Sequence, residues 1–203
     1  SSVIISYPGI PGLNQEDVAD VATYLGIPVF EGNHGYPPHT ITAAYAGYGM
    51  GLCKSFEDRE KCWKEELNLP VRRTLLVESS DIALLLNGGY LEQAHEFGES
   101  FTHFDFGYLD LAKSQLSDPE GFAEIRDSVT EVVRNMHFSP HDVRKEFTVI
   151  LTGSSSLVNE NIFKKAVTDG IKKAGAEFEL LDKRPDYMAS RGAAELAWRS
   201  FML

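Results

Sequence analysis

The sequence predicts an α/β fold, a mixed sheet with helices packed on it. Three observations carry this. Helical and strand-like apolar periodicities alternate along the chain. Two apolar runs in "RRTLLVESSDIALLLNGGYLEQAHEF" flank Asn87, Gly88 and Gly89, the signature of an antiparallel hairpin. The stretch "VILTGSSSLVNENIFKKAVTDG" then passes from a buried strand through a small-residue turn into an amphipathic helix.

Taken in order, Val3 to Tyr7 reads as a short strand and "PGIPG" as the turn after it. Asn14 is placed to cap a helix over about 15–25, with Val18, Val21, Ala22 and Leu25 on one face and Gly26 as its stop. Ile27 to Phe30 reads as a strand, followed by the Gly/Pro-rich loop "EGNHGYPPH". From Thr40 a small-residue helix begins whose Ala and Gly content calls for close approach of another backbone. The charged "KSFEDREKCWKEEL" reads as a solvated loop or helix, and 74–96 as the meander. Helices are predicted over 101–116 and 119–138, the second entered at Pro119 and closed before Pro140. A strand through Phe147 to Thr152, a helix carrying Ile162, Phe163, Ala166, Val167 and Ile171, a strand at Glu177 to Leu181 and a helix across "DYMASRGAAELAWRSF" complete the chain.

With 203 residues, 43% of them hydrophobic, the chain can build a real core as one domain or two small subdomains. Nineteen basic against 30 acidic residues give a net charge of −11, which disfavours nucleic acid or an anionic membrane surface as partner. No apolar stretch approaches the roughly 20 residues needed to span a bilayer, and nothing at the start resembles a signal peptide. The opening "SSVIISYPG", without Met, reads as a cut inside a larger protein. Nucleophile elbow, dinucleotide fingerprint and metal motif are all missing from the sequence.

Three stretches in this order, "VIISYPGIPGLNQEDVADVATYLGI", "TAAYAGYG" (Thr42 to Gly49), and "LTGSSS" followed by "RPDYMASRGAAELA", resemble the nucleotide-binding domain of the seventy-kilodalton heat-shock chaperones and the wider actin-like ATPase superfamily. In style the chain is similar to large chaperone-like proteins of fungi. The resemblance implies a ribonuclease H-like mixed sheet, and a fragment: 1–203 as the C-terminal portion of the domain. Residues 1–52 would be the end of the first lobe and its crossing helix, and 70–203 the second lobe, with a reduced insertion at 100–146. It implies an adenosine loop at Leu151 to Leu157, so that Gly153, Ser154, Ser155 and Ser156 would meet the ribose and adenine side of ATP or ADP, with Gly192 beside them. The family's glycine-rich phosphate loop falls on Glu78, Ser79, Ser80 and Asp81, where no glycine can cradle a phosphate and two carboxylates would repel it unless a metal intervened.

Further departures bear on activity. Leu157 stands where the family stacks an Arg on adenine, Thr40 stands nearest the Glu that precedes the small-residue helix, and the catalytic Lys would precede residue 1. The expectation is therefore a chaperone-like domain with a degenerate phosphate loop, a non-hydrolysing scaffold or interaction module. Its partners would be the N-terminal half of the same domain and another protein. Two other readings stand beside it: a full-length protein that binds ATP with magnesium and hydrolyses it slowly, and an unrelated α/β enzyme using His95, His103 or His137 with Asp105 or Asp110. For that last reading, "THFDFGYLD" is the best feature, although aromatics interleaved with His103 and Asp105 fit packing as well.

The two cysteines, Cys53 and Cys62, cannot supply a four-ligand zinc site unaided. They are free thiols in a cytoplasmic protein, the family's default compartment, or a disulfide in the secretory pathway. Lys61, Trp63 and Lys64 around Cys62 suggest a partly exposed thiol and favour the bond. It would close a loop of about 10 residues and contribute roughly 2 to 3 kcal/mol. Mass spectrometry of the unreduced, proteolysed protein tests this: a peptide pair linked through Cys53 and Cys62 is expected, and two freely alkylated thiols would dispose of it.

Overall fold

The computed structural model describes residues 3–10, 12–29, 38–80, 83–94, 103–109, 119–136, 146–154 and 156–202, the backbone alone for 103–109 and 200–202. They fall into two compact units. One comprises 71–90 and 102–187, the other 1–70, 91–101 and 188–203.

The 71–90/102–187 unit holds a five-stranded sheet of β1 (Arg72–Ser79), β2 (Leu84–Leu91), β3 (His103–Leu109), β4 (Phe147–Thr152) and β5 (Glu179–Leu181), in the order β3-β2-β1-β4-β5. β1 runs parallel to β4 and β4 parallel to β5, while β2 is antiparallel to β3. The short link from Ser79 to Leu84 requires β1 and β2 to be antiparallel, because a parallel pair needs a crossover of a dozen or more residues. One reversed strand, β2, in a 3-2-1-4-5 order is the ribonuclease H-like arrangement. The predicted fold class is the one observed.

Two sequence expectations are corrected within this sheet. The predicted helix at 101–116 is strand β3 over His103–Leu109, since "HFDFGYL" has β-favouring aromatics and pairs with β2. The hairpin turns at Ser80 to Ala83 rather than at Asn87 to Gly89. Ser80 closes it with its N–H on the Ala83 carbonyl at 2.9 Å and its Oγ 3.0 Å from the Ala83 amide nitrogen. The glycines instead lie inside β2, where the β2–β3 register shifts between Leu86 and Gly88. A Cβ on Gly88 would come within 2.8 Å of Met136, so this glycine serves packing.

The α-helices of this unit, here αA (Pro119–Asn135) and αB (Asn161–Lys173), pack on one sheet face. Ile125, Val129 and Val133 of αA and Phe163, Val167 and Ile171 of αB close over Leu75, Val77, Val149 and Leu151. The helices approach closely at Gly170. Its carbonyl accepts from Thr130 Oγ1 at 3.0 Å, and a Cβ there would lie 2.6 Å from the Arg126 carbonyl. A 3-10 turn at Ser156–Asn159 separates β4 from αB. The helix N-terminus is thus removed from the serine turn, contrary to the simple strand–turn–helix reading.

The other unit begins with two isolated parallel bridges, Val3 to Val29 and Tyr7 to His39, where two short strands were expected. Helix αC (Gln15–Tyr24) starts at Asn14 in a capping box with Asp17 and ends before Gly26 at φ 64°. Its predicted apolar face is largely uncovered: Ala22 is buried, but Val21 and Leu25 are more than half exposed. Helix αD (Thr40–Gly47) is buried at every position and lies against αE (Met188–Met202). An added Cβ on Gly47 would sit 2.1 Å from the Met188 carbonyl, and one on Gly192 1.6 Å from the Ala43 carbonyl. This is the close backbone approach that the Ala and Gly content predicts. The charged segment forms αF (Arg59–Glu66), capped by Asp58. Cys53 and Cys62 are bonded. The expected partial exposure of Cys62 is wrong, however, because it is buried: on a helix the flanking charges point away from the side it turns inward. No helix of the described residues is long and apolar enough to cross a membrane.

Gly192→Ala should destabilise the protein by about 3 kcal/mol, as overpacking against backbone leaves no side chain to yield. Gly175→Ala meets no atom within 4 Å and carries only the penalty of its φ of 82°, about 1 to 2 kcal/mol. Urea denaturation of both variants checks the ordering.

Candidate functional site

β1 and β4 are parallel neighbours with Val77 opposite Leu151 and Glu78 opposite Thr152. Their carboxyl ends therefore finish at one level. In open α/β sheets this edge is where ligands bind, because helices cover the faces and the strand exits splay apart. Here the chain leaving β4 crosses directly over the chain leaving β1. Gly153 adopts φ 138°, and a Cβ on it would fall 1.9 Å from the Ser79 carbonyl oxygen. Both the conformation and the contact demand glycine.

The crossing is fastened from a third segment. Pro185 is buried, and its carbonyl accepts from Thr152 Oγ1 at 2.8 Å and from the Gly153 N–H at 3.4 Å. Beside it, Arg184 takes φ 52° and holds its guanidinium 4.7 Å from the Tyr187 ring centroid. Sequence reasoning missed both residues. The available signal was "RPDY", a proline just before a helix, which commonly marks a chain reversal.

The predicted residues divide into groups. Glu78, Ser79, Ser80 and Gly153 gather at the carboxyl ends. Ser154 and Ser156 are exposed, Ser156 opening the 3-10 turn, while Leu157 turns inward to the sheet core. Ser155, Asp81, His95, Asp110 and His137 lie outside the described residues. Gly192 is in the other unit, buried in αE against αD. Thr40, also in that unit, opens αD and donates its N–H to the Tyr7 carbonyl at 2.8 Å. His103 and Asp105 are on β3.

Glu78 is the electrostatic feature of the site. Strand alternation puts it on the face opposite Val77, and burial pushes its carboxyl up from 4.5 to about 7. Among the described residues, neither Glu78 Oε2 nor Ser79 Oγ finds a hydrogen-bond partner. Such orphaned buried oxygens are uncommon and mark positions where an ion, water or ligand group can complete the bonding. Ser80 differs: its N–H and its hydroxyl are both spent on Ala83.

A second polar pair, unforeseen in the sequence, lies in the other unit. Tyr7 OH and His39 Nε2 are 3.1 Å apart. Burial raises the tyrosine and lowers the histidine, so both are held neutral. The pair joins the Tyr7 bridge to the residue that precedes αD, which gives it a structural role.

No family model matches the chain, and no curated protein matches it. Among solved structures it is similar to one described as a structural study of the Aquifex aeolicus PPX-GPPA enzyme, with a TM-score of 0.34 and 8% identity. The match covers 55% of this chain and 36% of that one, so the chain spans about a third of that structure's length. At this identity no residue role transfers from one to the other.

Glu78 makes stability depend on pH. The folded protein keeps its proton up to about pH 7, whereas the unfolded chain releases it near 4.5. Stability should therefore fall as pH rises from 4.5 to 7 and level off above, by up to about 3 kcal/mol. Glu78→Gln should remove that decline and raise stability at about pH 8 while leaving it little changed at about pH 4. Urea melts of both proteins at the two pH values measure the difference.

Proposed function

We propose that this chain is part of a heat-shock-chaperone-like, actin-like ATPase domain whose phosphate turn is degenerate, and that it acts as a non-hydrolysing scaffold or interaction module. One observation carries the reading. At the crossing of the β1 and β4 exits, Ser80 has spent its amide and hydroxyl on Ala83, and Oε2 of Glu78, one residue before Ser79, finds no hydrogen-bond partner among the described residues. A phosphate group needs the opposite, free N–H donors and no carboxylate. Gly153 still permits close backbone approach at the neighbouring strand end, which fits an inherited nucleotide edge whose phosphate side has been lost.

The proposed partner is the N-terminal half of the same domain. Val3, Val21, Tyr24, Leu25 and Ile27 are apolar and exposed, and among the described residues the segments beside them meet at isolated bridges. Further strands of a first-lobe sheet would extend those bridges and cover these side chains.

The second reading is a protein that binds ATP or ADP with magnesium and hydrolyses it slowly. It is favoured by Glu78 Oε2, which has no hydrogen-bond partner among the described residues, an oxygen of the type magnesium takes alongside phosphates. Above about pH 8 Glu78 is largely ionised, so without a metal it opposes a triphosphate.

Calorimetry of the 203-residue chain against ATP and ADP, with and without magnesium, separates the two. The scaffold reading expects no binding tighter than about millimolar, equivalent to roughly −4 kcal/mol. Micromolar affinity that requires magnesium and is lost in Glu78→Gln would replace it with the second reading.

A further inference from the structure

The groups around the Cys53–Cys62 bond differ in sign from one sulfur to the other. On the Cys53 side, Arg199 of αE donates through Nη1 to the Cys53 carbonyl at 2.6 Å and stands 3.6 Å from Cys53 Sγ. Its guanidinium is held by Glu195 at 2.9 Å and lies 5.0 Å from the Phe56 ring centroid. On the Cys62 side, buried Glu66, one turn along αF, brings Oε1 to 3.3 Å from Cys62 Sγ. A disulfide sulfur has no proton to donate. The Glu66 contact therefore becomes a hydrogen bond only when Cys62 is a thiol, and the Arg199 charge is worth most when Cys53 is a thiolate. Both neighbours favour the reduced pair over the bonded one.

Both cysteines are buried, and Cys53 borders a cavity. This cavity of about 460 Å³ is lined by Leu52, Cys53, Lys54, Lys64, Glu65 and Leu69; Cys62 takes no part in it. Its wall carries Lys54 and Lys64 together with the Glu65 carboxylate, and Lys64 is paired with Glu60 at 2.6 Å.

We propose that Cys53–Cys62 is a thiol-exchange site for a small monothiol, entering through this cavity and attacking Cys53. The incoming thiolate forms a bond to Cys53 Sγ while the Cys53–Cys62 bond breaks. Cys62 Sγ leaves with the electron pair, takes a proton from solvent and donates it in a hydrogen bond to Glu66. A second thiolate attacks the small-thiol sulfur of the mixed disulfide and releases the oxidised small-molecule disulfide. Cys53 is left as a thiolate against Arg199. Two thiols are oxidised and one protein disulfide is reduced, with electrons in balance. The two sulfurs and the Glu66 oxygen also lie within 4.8 Å of one another, a ligand set for a soft cation. The guanidinium at Cys53 argues against a cation there and for a thiolate.

Glutathione is the probe, used with the 203-residue chain and read by mass spectrometry. The expected adduct is on Cys53. In the fully reduced protein at about pH 7, iodoacetamide should label Cys53 about threefold or more faster than Cys62, because Arg199 favours a thiolate at Cys53 and the Glu66 carboxylate opposes one at Cys62. Arg199→Gln should lose that preference, Arg199→Lys should keep it, and Glu66→Gln should speed labelling of Cys62, with circular dichroism showing each variant folded. Glutathione found on Cys62, equal labelling of both thiols in the unaltered protein, or stoichiometric zinc uptake by the reduced protein would each overturn the assignment. The ratio in the unaltered protein decides the matter even where a variant does not fold.

Discussion

Parallel pairing of β1 with β4 is the constraint on which the rest of the sheet-bearing unit depends. It sets Leu75 opposite Val149 and Val77 opposite Leu151, all four inaccessible to solvent, and so gives αA and αB one continuous apolar floor. A slip of β4 by one residue would turn Val149 and Leu151 to the other face and bring Thr148 and Thr152 under the helices. The same register brings the two strand exits to one level. Gly153 must then cross above Ser79 with backbone against backbone. Fold and candidate site thus share one cause.

In the other unit close approach of helices does comparable work. αD and αE meet through Gly47, Ala43 and Gly192, where the lack of side chains lets carbonyl and amide groups of one helix touch the other. Arg199, farther along αE, reaches the Cys53 carbonyl and Phe56, and the Cys53–Cys62 bond ties that loop to αF. A segment with few apolar residues of its own is thereby held from both ends. αC contrasts with this arrangement: well capped at Asn14, it keeps most of its apolar residues at the surface.

The chemistry of the strand exits follows from burial without partners. A carboxyl surrounded by low-dielectric groups resists ionisation, so Glu78 changes charge near neutral pH where an ordinary glutamate would not. Ser80, two residues on, is closed onto Ala83 by its amide and its hydroxyl.

The sequence by itself determined the α/β class, the strand at 147–152, the helices after Asn14, Thr40 and Pro119, and the tight meeting of small-residue helices. These are local or periodic properties, legible because a strand repeats every two residues and a helix every three or four. The glycine at the β4 exit was likewise readable as a point of close approach. Only the tertiary structure decided the rest. "HFDFGYL" became a strand because an edge of β2 was free to pair with it. The hairpin turned at Ser80 because strand pairing outweighed the local preference of Asn87-Gly88-Gly89 for a turn. Cys62 was buried because its helix face turns inward, and Pro185, Arg199 and Glu66 reached their partners across long or helical separations. Contacts of that kind depend on where distant segments come to rest, which no local pattern of residues encodes.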